Sequence, residues 1–363
     1  MKLHRALTAT ALLAVVLLSL ACTPPRGARD GAQVSAGQAP AYNEQAVANY
    51  YSGKTLKFLV GLAPGGGYDT YTRAIARHFA KHVPGNPAVI VDNMTGGGSL
   101  VAANAVHAGG RPDGLTVLSW IGTLSLAQVL GQEGIEFDSR RVQYLGVPTP
   151  DSNVCALRKE AGIRSGAELL AAPEVIMGGV APGSPTDDTP RVLAAALGFN
   201  LKMVSGYGGT APIRQAADSG EVQGGCWAWE SVKVTWKAGL DAGDVNVVLQ
   251  ATGRKLPDLP NVDLAQDLAK TEEAKQLIQY GIVVPGQISR AYSVHPDTPA
   301  DRVQALRKAF MDTMQDPEFL DEAKKAGLDV VPIGGEEEER LVKELFNIPE
   351  NIKAKLKPIL VAS

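Results

Sequence analysis

TLKFLVGLAPGGGYDTYTRAIARHFAKHVPGNPAVIVDNMTGGGSL, residues 55–100, decides the fold class. Leu56, Phe58, Leu59 and Val60 form a short apolar run that meets a turn at Pro64, Gly65, Gly66 and Gly67. Tyr71, Ile75 and Phe79 then recur at the spacing of one helix face, and residues 88–91 are a second apolar run. The order is strand, glycine turn, helix, strand. A glycine turn that opens a helix offers backbone N–H groups at the positive end of the helix dipole, which suits an anion.

Outward from this unit, strand and helix signals alternate to the end of the chain, which predicts an α/β fold with largely parallel sheets. Strands are expected over 115–121, 142–147, 154–157, 174–179, 202–205, 222–229 and 245–250. The strand, glycine loop, helix unit recurs at 182–189 and at 206–211, and a helix is expected over 189–197 with Pro190 in its tolerated first turn. Pro148, Thr149, Pro150 and Asp151 break the strand before them, and a second series of elements begins there. Amphipathic helices are expected over 299–315 and 317–326, and the acidic run 336–339 suits a helix start rather than a metal site.

The N-terminus has a different character. Lys2, His4 and Arg5 precede an apolar run over 6–21, which reads as an export signal over 1–21. Cys22 follows Ala21 directly and resembles a lipidation site. Residues 22–45, rich in Pro, Gly, Ala and Ser, suit a flexible tether. About 315 residues remain, enough for two domains. A net charge of −3 with no basic stripe argues against nucleic acid. Beyond the tether only Cys155 and Cys226 remain. They read as small buried thiols, and export leaves room for one bridge between them.

Rival chemistries fit less well. A dinucleotide site would use Gly65, Gly67 and Asp92, but Thr70 stands where a third glycine should allow close helix packing. No G-x-S-x-G elbow exists for a hydrolase. His78 and His82 have metal-ligand spacing without the HExxH pattern, and read as structural. Arg73, Arg77 and Lys81 read as a solvated face. Trp227 and Trp229 alternate along one expected strand and read as core, with Trp227 or Tyr207 at a cleft edge as the alternative.

Taken together, several stretches resemble the substrate-binding proteins of tripartite tricarboxylate transporters, the Bug family. They are Pro64, Gly65, Gly66, Gly67, Tyr68 and Asp69 with Arg73; Asp92 and Asn93 with Gly96, Gly97 and Gly98; Pro112, Asp113 and Gly114; Gly183 and Ser184; VSGYGGTAPIRQAADSG at 204–220; and HPDTPADRVQALRKAF at 295–310. The resemblance runs from about residue 54 to about residue 360. It implies a two-lobed, Venus-flytrap periplasmic-binding-protein fold of type II, with a hinge, a central cleft and no catalysis. It implies one lobe from 46–150 and 230–363 and a second from 151–229. Carried over, the ligand-binding residues are Ala63, Gly65, Gly67, Tyr68, Asp69, Thr123 and Ser125 from the first lobe. Gly183, Ser184, Thr186, Tyr207, Gly208 and Thr210 come from the second, with Trp227 as a cleft-edge candidate. Tyr68 stands where many members have Ser or Thr, and Asp187 and Asp188 put negative charge beside the expected anion site.

The implied partners are a small carboxylate and integral-membrane transporter subunits, with no cofactor, no metal and membrane contact only through a lipid at Cys22. A monomer is expected. An exported enzyme or a ligand-sensing module on the same scaffold is the alternative. Gly67→Val is expected to abolish carboxylate binding with little change in the unliganded melting temperature. Asp69 is expected to cap its helix.

Overall fold

A computed structural model gives the fold of residues 43–361. The export signal, Cys22 and nearly all of the expected tether lie outside the described residues. The helix Glu44–Tyr51, capped by the Asn43 side chain, already begins within the stretch read as tether.

The described strands form two sheets. β1 (Thr55–Val60), β2 (Ala88–Asn93), β3 (Thr116–Ile121) and β4 (Gln143–Val147) belong to the first. β5 (Asn153–Arg158), β6 (Val175–Gly178), β7 (Leu201–Val204), β8 (Gly224–Ala228) and β9 (Val245–Gln250) make the second. The chain then returns to the first sheet for β10 (Arg290–Val294) and the short β11 (Ile333–Gly334).

The two sheets repeat one order. β2-β1-β3-β10-β4 corresponds position by position to β7-β6-β8-β5-β9. Both have three parallel strands followed by one antiparallel strand, β10 in the first and β5 in the second. Those two are the strands entered directly from the other sheet, through residues 148–152 and 251–289. A strand entered this way starts where its neighbours finish, so it must run against them. The sheets are therefore mixed, where sequence alternation predicts largely parallel pairing.

Two further expectations change. Val245–Gln250, expected in the first lobe, pairs along β5 in the second sheet. The helix expected from Thr189 starts at Pro185. Pro185 occupies the first turn, where its missing N–H leaves no bond unmade, and Pro190 lies further inside.

The helix face read from Tyr71, Ile75 and Phe79 does pack on the first sheet, where all three side chains are fully buried with Phe58. Phe58 and Phe79 meet edge to face, with centroids 5.0 Å apart. Burying each ring stabilises by roughly 2 kcal/mol. In the second sheet Cys155 lies directly opposite Cys226 on antiparallel strands, and the two form a disulfide rather than separate thiols. The C-terminal helix Glu350–Leu360 packs on both Leu124–Leu130 and Pro185–Leu197, so it touches elements that serve each sheet. Among the described residues, no helix is long and apolar enough to cross a membrane.

Candidate ligand-binding site

The loop after β1 is held by Asp69. Gly65 takes a left-handed conformation (φ 78°) that a side chain would strain. Its N–H donates to Asp69 Oδ2 at 2.9 Å. Arg73 Nε and Asn93 Nδ2 also donate to this carboxylate, each at 3.0 Å to Oδ1. Asp69, in the first turn of the helix Gly67–Phe79, thus reaches back to the preceding loop, much as a capping-box acid does. Gly65 N–H and the Asp69 carboxylate are consumed inside the protein, which removes both from the expected ligand contacts.

Burial pushes the Asp69 carboxyl up, but the bonds from Arg73, Gly65 and Asn93 outweigh it and hold the group below the usual carboxylate range. A depressed folded-state pKa gives stability that is present above the unfolded value, about 3.9, and is lost as pH falls through the folded one. Asp69→Asn should therefore cost about 2 kcal/mol at pH 7. The gap to wild type should narrow below about pH 4. Urea unfolding at pH 7 and pH 3 tests this, and an equal gap at both would refute the ionic role.

The same helix leaves N–H groups over. Gly66, Gly67 and Tyr68 donate to no described residue, as the first turn of a helix requires. Two more helix starts face them. In Pro185–Leu197, Thr186 N–H is unspent, while Thr186 Oγ1 accepts from Val180 N–H at 3.0 Å. At the start of Thr210–Asp218, the N–H groups of Gly209 and Thr210 are likewise unspent.

These starts enclose a cavity of about 30 Å3, walled by Leu62, Ala63, Gly66, Gly67, Tyr68, Ile121, Asp151, Val180, Pro185, Thr186, Gly209, Thr210, Trp227, Ala228 and Ser231. That is room for a water or two, well below the ~300 Å3 or more of a ligand cleft. The loops meet across it. Ala63 N–H donates to Gly208 O at 2.8 Å, and Thr123 Oγ1 donates to Gly183 O at 2.8 Å.

The residues expected at the ligand thus separate by position. Ala63, Gly67, Tyr68, Thr186, Thr210 and Trp227 lie on the wall. Tyr68 shows its ring only, because its hydroxyl is tied to Ser289 O at 2.8 Å. Gly208, Thr123 and Gly183 join loop to loop. Ser184 Oγ is spent on Ala181 O and Thr186 Oγ1. Ser125 is fully buried beside Tyr144, behind the turn expected to present it. Tyr207 OH reaches Glu221 at 2.7 Å and faces the surface. Trp229 leaves the strand to open a helix, and Trp227 stacks on Trp236 with centroids 5.5 Å apart.

Asp187 and Asp188 are absent from the wall. Gly183 N–H donates to Asp188 at 3.0 Å, Ser205 Oγ donates to Asp187, and burial pushes both carboxyls up. His78 and His82 are each tied to a carboxylate, Glu322 at 2.7 Å and Asp316 at 2.8 Å.

Sequence reading misses the charged floor. Arg290, at the start of β10, and Asp151, in the crossing before β5, form an ion pair at 2.6 Å with side chains 0% and 2% exposed. Arg290 Nη2 also donates to Ser231 Oγ at 3.2 Å, and its guanidinium stacks on Tyr68 and Tyr71. Arg290 Nη1 and Trp227 Nε1 are buried donors without a partner among the described residues. In sequence Asp151 reads only as part of a strand break. Its place beside Arg290 depends on two crossings distant in sequence, which no local pattern announces.

No family model and no curated protein matches the chain. Solved structures do. It shares 19% identity with the periplasmic binding protein BugD, at a TM-score of 0.69 over 85% of this chain and 98% of that one. MatC from Rhodopseudomonas palustris, with bound malate, is 19% identical at 0.64 over 85% and 99%. A second R. palustris protein, solved with adipate, is 19% identical at 0.67 over 85% and 99%. The chain has the periplasmic-binding-protein fold of these structures.

Proposed function

We propose that the chain is an extracytoplasmic solute-binding protein of the Bug type, which captures a small organic carboxylate between two lobes and catalyses nothing. The observation that carries this is the set of unspent donors around one cavity. Three helix starts converge there with N–H groups that no described residue accepts, and the wall includes Trp227, whose buried Nε1 also lacks a partner among the described residues. Helix N-termini hold anions through free N–H groups and the dipole, and a carboxylate has acceptors enough to use several. The malate and adipate in the similar structures fit this class.

The lobes correspond to the two sheets, and the crossings at 148–152 and 251–289 serve as the hinge. A ligand larger than the present cavity enters an opened form, and its contacts to loops from both sides favour closure. The export signal and Cys22 support a lipid-anchored protein outside the cytoplasm, acting as a monomer that delivers its ligand to integral-membrane transporter subunits.

Thermal-shift screening of mono-, di- and tricarboxylates tests the reading. At about 100 times Kd a ligand adds about 2.7 kcal/mol, a rise of several degrees. Neutral sugars and cationic amines should leave the melting temperature unchanged. A screen in which no carboxylate shifts it would refute the proposal.

A further inference from the structure

We infer that the ligand carries a hydrogen-bond donor, a hydroxyl or an ammonium group, close to its carboxylate, and that Asp151 selects for it. This rests on the carboxylate reading above. The unspent N–H groups and Trp227 Nε1 suit the ligand's negative end. Asp151, which lines the same wall, does not, because its carboxylate oxygens can only accept.

Its two oxygens differ. Oδ1 takes both bonds from Arg290, Nε at 3.1 Å and Nη2 at 2.6 Å. Oδ2 accepts from no described residue, on a side chain only 2% exposed. Arg290 stays in place through the Tyr68 and Tyr71 rings, 4.9 and 4.5 Å from its guanidinium carbon, and through Ser231. Glu230, the neighbouring acid, accepts Ser152 N–H at 2.9 Å.

When a ligand displaces water and the loops close, Oδ2 must find a donor on the ligand or be left without one. An unpaired buried acceptor is costly. A bare hydrocarbon chain offers it nothing, and a second carboxylate, which only accepts, cannot satisfy it. A hydroxyl or ammonium beside the bound carboxylate satisfies it. Sites built to bond such a group discriminate strongly against analogues that lack it.

The test is calorimetric titration of the exported full chain with matched acids. The sets are propionate, lactate and alanine; succinate, malate and aspartate; and adipate, 2-hydroxyadipate and 2-aminoadipate. Within the set that binds, the hydroxy or amino member should bind at least about ten-fold more tightly than the plain acid. Which of the two binds tighter identifies the donor. The double variant Asp151→Ala with Arg290→Met, which removes the acceptor without stranding a charge, should lose most of that preference. The wild-type series decides the matter should this variant fail to fold. Plain acids binding as tightly as their matched partners would overturn this inference and leave the carboxylate reading standing. If no acid in any set binds, the carboxylate reading falls and this inference with it.

Discussion

Gly67→Val should destabilise the unliganded protein by about 3 kcal/mol or more, the upper range for overpacking a close-packed site. A Cβ built on Gly67 would overlap Ser231 Oγ, lie 2.6 Å from Ser231 Cβ and come within 3.3 Å of Arg290 Nη1. The obstruction is the protein's own helix Trp229–Thr235, not a ligand. This reverses the expectation drawn from sequence, in which the substitution spared the fold and blocked the cleft. Ser231→Gly in the same chain should restore part of the loss by removing both overlapping atoms. Thermal unfolding of the single and double variants without ligand checks it. An unliganded melting temperature within a degree or two of wild type for Gly67→Val would return the glycine to a purely ligand-facing role.

Arg290→Met should cost about 4 kcal/mol, because it leaves the Asp151 carboxylate buried beside Glu230 with no cation. Combining Arg290→Met with Asp151→Ala should cost less than Arg290→Met alone, since a buried pair replaced by apolar groups is often tolerated. Urea unfolding of wild type, single and double variants gives the coupling directly. Equal losses for single and double would mean that the two side chains contribute separately, through packing alone.

How much was legible depended on how local each signal was. The unit over residues 55–100 was readable because strand, turn and helix periodicity are all written within a few turns of chain. The face of Tyr71, Ile75 and Phe79 was read correctly for the same reason. The partners of β9 and β10 were not readable. Val245–Gln250 is a strand by any pattern, yet only its pairing with β5 assigns it to the second sheet. Arg290–Val294 opens with a charge, and nothing nearby shows that the sheet interior will accept that charge by opposing Asp151 across 139 positions. At the site, the glycine loops were found but the occupancy of their N–H groups was not. Asp69 claims Gly65 and leaves Gly66 and Gly67, a division set by where one carboxylate folds back.

The shared strand order also has a consequence for how the chain matures. In the first sheet β4 lies between β10 and β11, and both come from the last quarter of the sequence. A nascent chain that has emerged only as far as residue 250 holds every strand of the second sheet, while β4 still lacks both neighbours. The later-encoded sheet is therefore complete first, and the one begun at the N-terminus waits for the C-terminus.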